Sequence, residues 1–415
     1  KKEKRKYAQP PFTTSKLQQE AFYKFRFPAS KTMRTAQQLY EGLEIGKHEE
    51  VGLITYMRTD AVRVSKGSVE EARDYIVKKY GKEYLPATPN RFKSKKSAQE
   101  AHEAIRPTLP LREPGHVEKY LTPEQYKLYT LIWNRFISSQ MSPAVFSVVG
   151  VDIKAGRFIF RAQGSHKIFS GFSAVYKEDG EKKEEEKILP PLVVDEKLLL
   201  LRLNPSQHFT KPPPRFSEAS LVKALEEYGI GRPSTYAPII YTIVARNYVK
   251  RREGYFHPSD LGMVVTDLLI KSFSKILDLE FTAKMEEELD EIEEGKEKRL
   301  DVLKRFYGPF EKDLEHAKVN MRKVKGEAVA TSEVCDKCGK QLVIKWGRLG
   351  RFLSCSDFPN CRFAKSLPTK VKCQEPGCDG MLVERRSKER GRHFYGCSNF
   401  PKCRYITRKL PSPKD

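Results

Sequence analysis

Ile54-Thr55-Tyr56-Met57-Arg58-Thr59-Asp60 closes a short apolar run at residues 51–57 and breaks it with polar groups where a core pattern would continue. A tyrosine in such a place is ordinarily structural, its ring packed and its hydroxyl bonded to one partner. The chemical alternative is a phenol nucleophile with a guanidinium two residues away. The residues alone leave both readings open. Two other segments interrupt apolar patterns in the same way. One is Ala101-His102-Glu103-Ala104-Ile105-Arg106-Pro107-Thr108. The other is Tyr228-Gly229-Ile230-Gly231-Arg232-Pro233-Ser234-Thr235-Tyr236. In the latter the glycines free the backbone, and Arg232, Ser234 and Thr235 are natural phosphate ligands beside helix N-terminal amides. Lys211-Pro212-Pro213-Pro214-Arg215-Phe216, just upstream, makes a stiff basic connection.

Outward from these segments, apolar periodicity predicts helix over residues 16–45. Leu17, Ala21, Phe22, Phe25, Met33, Ala36, Leu39, Tyr40 and Leu43 lie at helical spacing, with an interruption near Pro28 and a stop at Gly46. Ser68 with Glu71 reads as a capping box opening a helix. Residues 86–100 read as a loop. Thr122-Pro123-Glu124-Gln125 opens another helix, with Leu128, Leu131, Ile132, Phe136 and Ile137 on one face. After Pro143 the texture changes. Residues 145–176 and 192–204 read as strands, with the charged run 178–187 between them as a solvated loop. A helix starts at Ser217, a hairpin-like piece follows at 247–257, and an acidic helix with a solvated face covers 276–294. Residues 322–334 read as a linker.

All eight cysteines lie after residue 334, in two sets of four: Cys335, Cys338, Cys355, Cys361 and Cys373, Cys378, Cys397, Cys403. Cys355-Ser356-Asp357-Phe358-Pro359-Asn360-Cys361-Arg362 repeats as Cys397-Ser398-Asn399-Phe400-Pro401-Lys402-Cys403-Arg404, a period of about 40 residues. Paired cysteines on short turns suit a structural Zn²⁺ with four thiolates and no open position. Such an ion holds together a unit too small for a core of its own. Disulfides fit poorly, since no cysteine occurs elsewhere and no export signal is visible; an iron–sulfur centre is the other alternative. Lys345, Trp346, Arg348, Arg351 and Phe352 interleave basic and aromatic residues in the first set. Arg385, Arg386, Arg390, Arg392, His393, Phe394 and Tyr395 do so in the second. Trp346 and Tyr395 are the candidates for stacking on single-strand bases. Phe352, Phe358, Phe394 and Phe400 read as the small cores.

The whole chain has 415 residues and a formal charge of +23, of which residues 331–415 carry +11. That points to a polyanionic partner, with solubility as the alternative use of the lysines. No apolar run is long enough for a transmembrane helix, so no membrane partner is expected.

With these phrases in hand, the chain resembles the bacterial type IA topoisomerases of the DNA topoisomerase I kind. Residues 54–60, 101–108, 208–218, 229–237, 281–289 and the tetracysteine ribbons match in family order. The resemblance implies a multidomain α+β fold. A helical domain at 16–141 carries the tyrosine, a β-rich arch covers 142–215, and a helical DNA-binding domain covers 216–325. Tetracysteine zinc ribbons at 330–368 and 369–410 follow, and residues 1–15 end an upstream arch segment. It implies that Tyr56 attacks one DNA strand to give a 5′-phosphotyrosyl link, with Arg58 and His102 as catalytic partners. Arg232, Arg215, Ser234, Thr235 and Arg106 become DNA contacts, and Asp60 and Glu103 orienting groups. The implied partners are single-stranded or negatively supercoiled DNA and, through the ribbons, RNA polymerase; the implied state is a cytoplasmic, nucleoid-associated monomer. Ala61 departs from the serine that often follows the Thr-Asp pair. The family's magnesium-binding Toprim domain has no counterpart among these residues. The expectation is therefore a chain that binds single strands but cleaves weakly by itself. The competing class is a zinc-ribbon binding module without catalysis.

Overall fold

The computed structural model describes residues 1–46, 50–93, 102–177, 188–324, 327–347, 350–386, 393–408 and 410–411. They fall into two compact units. One comprises Lys1–Ile243, Arg251–Phe256 and Asp278–Arg299; the other comprises Val244–Lys250, His257–Leu277 and Leu300–Asp415.

In the first unit, strand β1 (Lys2–Lys6) leads into helices α1 (Thr14–Phe25) and α2 (Ala29–Glu41). The break between the helices has two causes. Arg26 turns left-handed at φ 56°, and Pro28 at φ −59° becomes the N-cap of α2. Gly42, at φ 126°, stops α2 four residues before the expected Gly46. Short strands β2 (Leu43–Glu44) and β3 (Glu50–Val51) pair as a ribbon. Helix α3 (Lys66–Tyr80) starts earlier than its sequence signal. Ser65, not Ser68, is the N-cap, and the Ser68 amide donates to its hydroxyl at 3.4 Å. After the single-turn α4 (Pro114–Val117), helix α5 (Pro123–Ser139) opens on the expected capping box, with Thr122 and Gln125 bonding reciprocally. Leu17, Ala21, Ala36 and Leu39 meet Ala72, Ile76, Leu128, Ile132 and Phe136 in one core beneath residues 53–57.

Strands β4 (Ala144–Ala155) and β5 (Phe158–Phe169) form a long hairpin, and β1 pairs with β4, giving the order β1-β4-β5. The first residues of the chain thus share a sheet with residues 144–169. Residues 192–204 are not a strand. They run as exposed chain because no described strand lies beside them to complete a ladder. The run at 178–187 and residues 94–100 of the expected loop lie outside the described residues. Helices α6 (Glu218–Glu227) and α7 (Tyr236–Ala245) follow. The hairpin of β6 (Val249–Arg252) and β7 (Tyr255–Pro258) turns on Glu253 and Gly254, both at positive φ, as the two-residue turn requires.

Helices α8 (Asp260–Ser272) and α10 (Arg299–Asn320) belong to the second unit, and α9 (Leu279–Glu293) to the first. The ribbons are two four-stranded antiparallel sheets. The first is β8 (Ala328–Val334), β9 (Gln341–Gly347), β10 (Gly350–Cys355) and β11 (Ala364–Ser366). The second is β12 (Pro368–Lys372), β13 (Met381–Arg386), β14 (His393–Cys397) and β15 (Ile406–Thr407). The first sheet begins at residue 328, inside the stretch expected as linker, because Ala328–Ala330 pair with Val343–Lys345. Among the described residues no helix is long and apolar enough to cross a membrane.

Candidate active site and metal centres

Tyr56 sits on a crest between two pinned stretches. On one side, the Leu53 amide donates to Leu39 O at the end of α2 (2.7 Å), and the Thr55 amide donates to Arg106 O (2.9 Å). Gly52 is required there, since a Cβ would lie 2.7 Å from Tyr40 O. On the other side, the buried Thr14 hydroxyl bonds Met57 O at 2.7 Å and accepts the Thr59 amide at 2.9 Å. Leu53, Ile54, Met57 and Thr59 are buried, which turns Tyr56 and Arg58 outward together. Tyr56 is 40% exposed. Its ring meets Tyr40 edge-on at 5.4 Å and lies 6.3 Å from the His102 ring.

Asp60 lies in the field of Arg232, His102 and Asp290. Burial raises its carboxyl above the ordinary 3.8; Arg232 and His102 pull it back and Asp290 pushes it up. The neutral form is therefore favoured in the folded state. That contribution is present below pH 3.8 and lost as pH rises through the folded value. Asp60→Asn should accordingly raise the melting temperature at neutral pH, and the gain should vanish below pH 3.8. A melt series across pH tests this; a gain that persists in acid contradicts it.

Arg232 is held rather than free. It donates to Asp290 at 2.7 Å and to Gly231 O at 3.0 Å, with Glu286 at 3.9 Å. The acidic helix, whose run 286–294 is expected as a solvated face, thus turns two carboxylates onto this arginine, a pairing that composition could not signal. Thr235 Oγ1 accepts the Arg232 amide at 2.7 Å, so this hydroxyl shapes the turn, while Ser234 is exposed. Arg215 is exposed on extended chain. Arg106 differs from its expected role as a DNA contact. It is 9% exposed, and its donors reach Glu103 (2.8 Å), Pro107 O (3.0 Å) and Ser65 (3.5 Å). It therefore braces the 103–107 segment, which lies against the Tyr56 segment through the Thr55–Arg106 bond. Tyr236 is buried, and burial pushes its hydroxyl up to about 12, so it is a poorer nucleophile than an exposed tyrosine.

In each ribbon the four Sγ atoms lie within 4.8 Å of one another. Cys335–Cys361 and Cys338–Cys355 are 3.7 and 3.4 Å apart; Cys373–Cys403 and Cys378–Cys397 are 3.7 and 3.5 Å. A zinc tetrahedron with Zn–S of about 2.3 Å has edges of about 3.8 Å, whereas a disulfide needs about 2.05 Å. The thiols are unbridged, and the geometry fits the ion.

The aromatic assignments exchange places. Tyr395, expected to stack on bases, is 6% exposed. Phe358 and Phe400, expected as core, are each 56% exposed, because the Phe-Pro turns project from the cysteine turns rather than under the sheet. A cation covers each: Lys345 Nζ and Arg385 Cζ both lie 5.2 Å from the ring. Trp346 is half-buried beneath Arg351, which pairs with Asp260 at 2.7 Å. Arg348, Arg390 and Arg392 lie outside the described residues.

Known families match both the part of the chain that carries Tyr56 and the two ribbons. The family described as DNA topoisomerase matches residues 1–304. The chain belongs to the bacterial type IA DNA topoisomerases. The topoisomerase DNA-binding C4 zinc finger family matches residues 332–370 and 370–412, one match per ribbon, and makes both tetrathiolate sets zinc sites. The structure of full-length topoisomerase I from Thermotoga maritima is 38% identical over 92% of this chain, with a TM-score of 0.70. The chain spans 59% of that topoisomerase's length.

Proposed function

We propose that the chain supplies the nucleophile and the strand-binding surfaces of a topoisomerase that breaks and rejoins one DNA strand, relaxing negative supercoils in the whole enzyme. The observation that supports this most is the outward pairing of Tyr56 and Arg58 on a segment whose other side chains are buried or half-buried. Tyr56 Oη attacks the scissile phosphorus. The phosphotyrosyl bond forms, the bond to O3′ breaks, and the 3′ oxygen leaves with a proton. Rejoining is the reverse. One phosphoester replaces another, so no ATP is needed. Arg58 meets the charge that develops on the phosphoryl oxygens. His102 stands close enough to contact the phosphate or pass a proton, and Asp60 orients the group. Arg232 exchanges Asp290 for a phosphate when a strand enters, with Arg215 and Ser234 along the path. Magnesium, a monomeric state and contact with RNA polymerase belong to the same proposal for the whole enzyme. Among the described residues only the cysteines form clusters that could hold a metal ion.

Exposed Phe358 and Phe400 are the proposed stacking platforms of the ribbons. Replacing either by Ala should weaken single-strand binding by about 1–3 kcal/mol, whereas Tyr395→Ala should lower ribbon stability instead. Fluorescence anisotropy with a labelled oligonucleotide decides between them. Unchanged affinity in the double phenylalanine variant removes this role.

A further inference from the structure

Helix α2 begins without a side-chain cap from its own segment, since its N-cap is Pro28. The acceptor arrives from 189 residues away: Glu218 Oε2 takes the Ala29 amide at 2.7 Å. Glu218 opens α6 and is 4% exposed. Its other oxygen meets Arg251 Nη2, from the β6–β7 hairpin, at 2.5 Å. One buried carboxylate thus joins three elements, and burial at this depth is tolerable only with such partners. A second contact runs alongside, where Lys16 Nζ and Gln19 Nε2 of α1 reach Glu226 Oε2 at 3.5 and 3.4 Å.

The far end of α2 supports the crest. Leu39 O accepts the Leu53 amide, and Tyr40 lies edge-on against Tyr56. A helix of 13 residues is a stiff rod about 20 Å long. The place of Ala29 and the place of Tyr56 are therefore mechanically linked. Beside the carboxylate lies a cavity of about 520 Å³, lined by Phe22, Tyr23, Arg26, Arg251 and Tyr255 among others, through which water can solvate the pair as it parts.

We infer that Glu218 is a positioning residue. It clamps α2, and through it the Tyr56 segment, to α6, and breaking this clamp lets the tyrosine-bearing helices separate from α6. The inference rests on Tyr56 as the nucleophile, but its test does not use catalysis.

Hydrogen exchange of the full chain is compared for wild type, Glu218→Ala, Glu218→Gln and Arg251→Ala. Glu218→Ala should speed exchange across α2 by about tenfold, with α3 and α5 unchanged. Glu218→Gln, which keeps an oxygen for the Ala29 amide, should recover most of the protection; Arg251→Ala should fall between. In fluorotyrosine-labelled chain, the ¹⁹F resonance of Tyr56, assigned by its loss in Tyr56→Phe, should move in Glu218→Ala and return in Glu218→Gln. If Glu218 only favours its own helix N-terminus, exchange rises in α6 alone and the Tyr56 resonance stays, which overturns the clamp. Should Glu218→Ala fail to fold, Arg251→Ala decides by the same readouts, and unchanged α2 exchange in it overturns the clamp. Loss of covalent capture at Tyr56 would sink the topoisomerase reading without altering any of these values.

Discussion

Chelating zinc, or replacing Cys355 by Ser, should unfold ribbon sheet while the tyrosine-bearing region stays folded. Among the described residues the first ribbon's buried cluster is Cys335, Leu342, Leu353 and Cys355, and two of these four are zinc ligands. So small a core cannot offset the chain entropy of its sheet. Structural zinc in units of this size contributes about 10–16 kcal/mol at neutral pH, so the ion is effectively the fold. Single-strand affinity should fall with the sheet, because Phe358 is held out by the turn between Cys355 and Cys361. Circular dichroism during a chelator titration, with oligonucleotide binding in parallel, measures both. Sheet signal and affinity that survive full zinc removal would contradict a zinc-built ribbon.

Tyr56→Phe should lower the yield of covalent protein–DNA complex on the order of 10⁴-fold or more, since the nucleophilic oxygen is removed outright. Fold and strand binding should hold, because the ring still packs against Tyr40 and, among the described residues, the missing hydroxyl has no buried partner to strand. The change in stability should stay within about 0.5 kcal/mol, as at other surface positions. Arg58→Ala should keep the nucleophile and lose about 10²–10³-fold in rate, the usual effect of removing one donor to a developing oxyanion. Thermal melts and oligonucleotide titrations of both variants separate lost chemistry from lost structure.

Much of this was legible in the sequence, and the misses have physical causes. The Thr122–Gln125 capping box and the break at Pro28 are local chemistry, so local sequence carries them. Ser65 and Gly42 displaced the expected Ser68 and Gly46 because neighbouring residues of equal capping ability compete, and packing chooses. Residues 192–204 have strand composition, but a strand exists only through its partner. At the site, Tyr56 and Arg58 both face outward, and the His102 ring lies 6.3 Å from that of Tyr56. Arg106 does not point outward, because Glu103, three residues earlier, and the carbonyl of Pro107 bind it. The pairing of Arg232 with Asp290 spans 58 residues and leaves no local trace. The exchange of Tyr395 for Phe358 and Phe400 has the same origin: hydrophobicity ranks the rings alike, and only the path of the cysteine turns decides which faces solvent.

The most direct measurement maps the covalent bond. The chain, joined to an upstream Toprim domain in one polypeptide and supplied with magnesium, is trapped on a labelled single strand and digested for mass spectrometry. The expected product is a nucleotide attached through its 5′ phosphate to Tyr56, absent in Tyr56→Phe. A nucleotide on the neighbouring exposed Tyr40, or an adduct that persists in Tyr56→Phe, would contradict Tyr56 as the nucleophile.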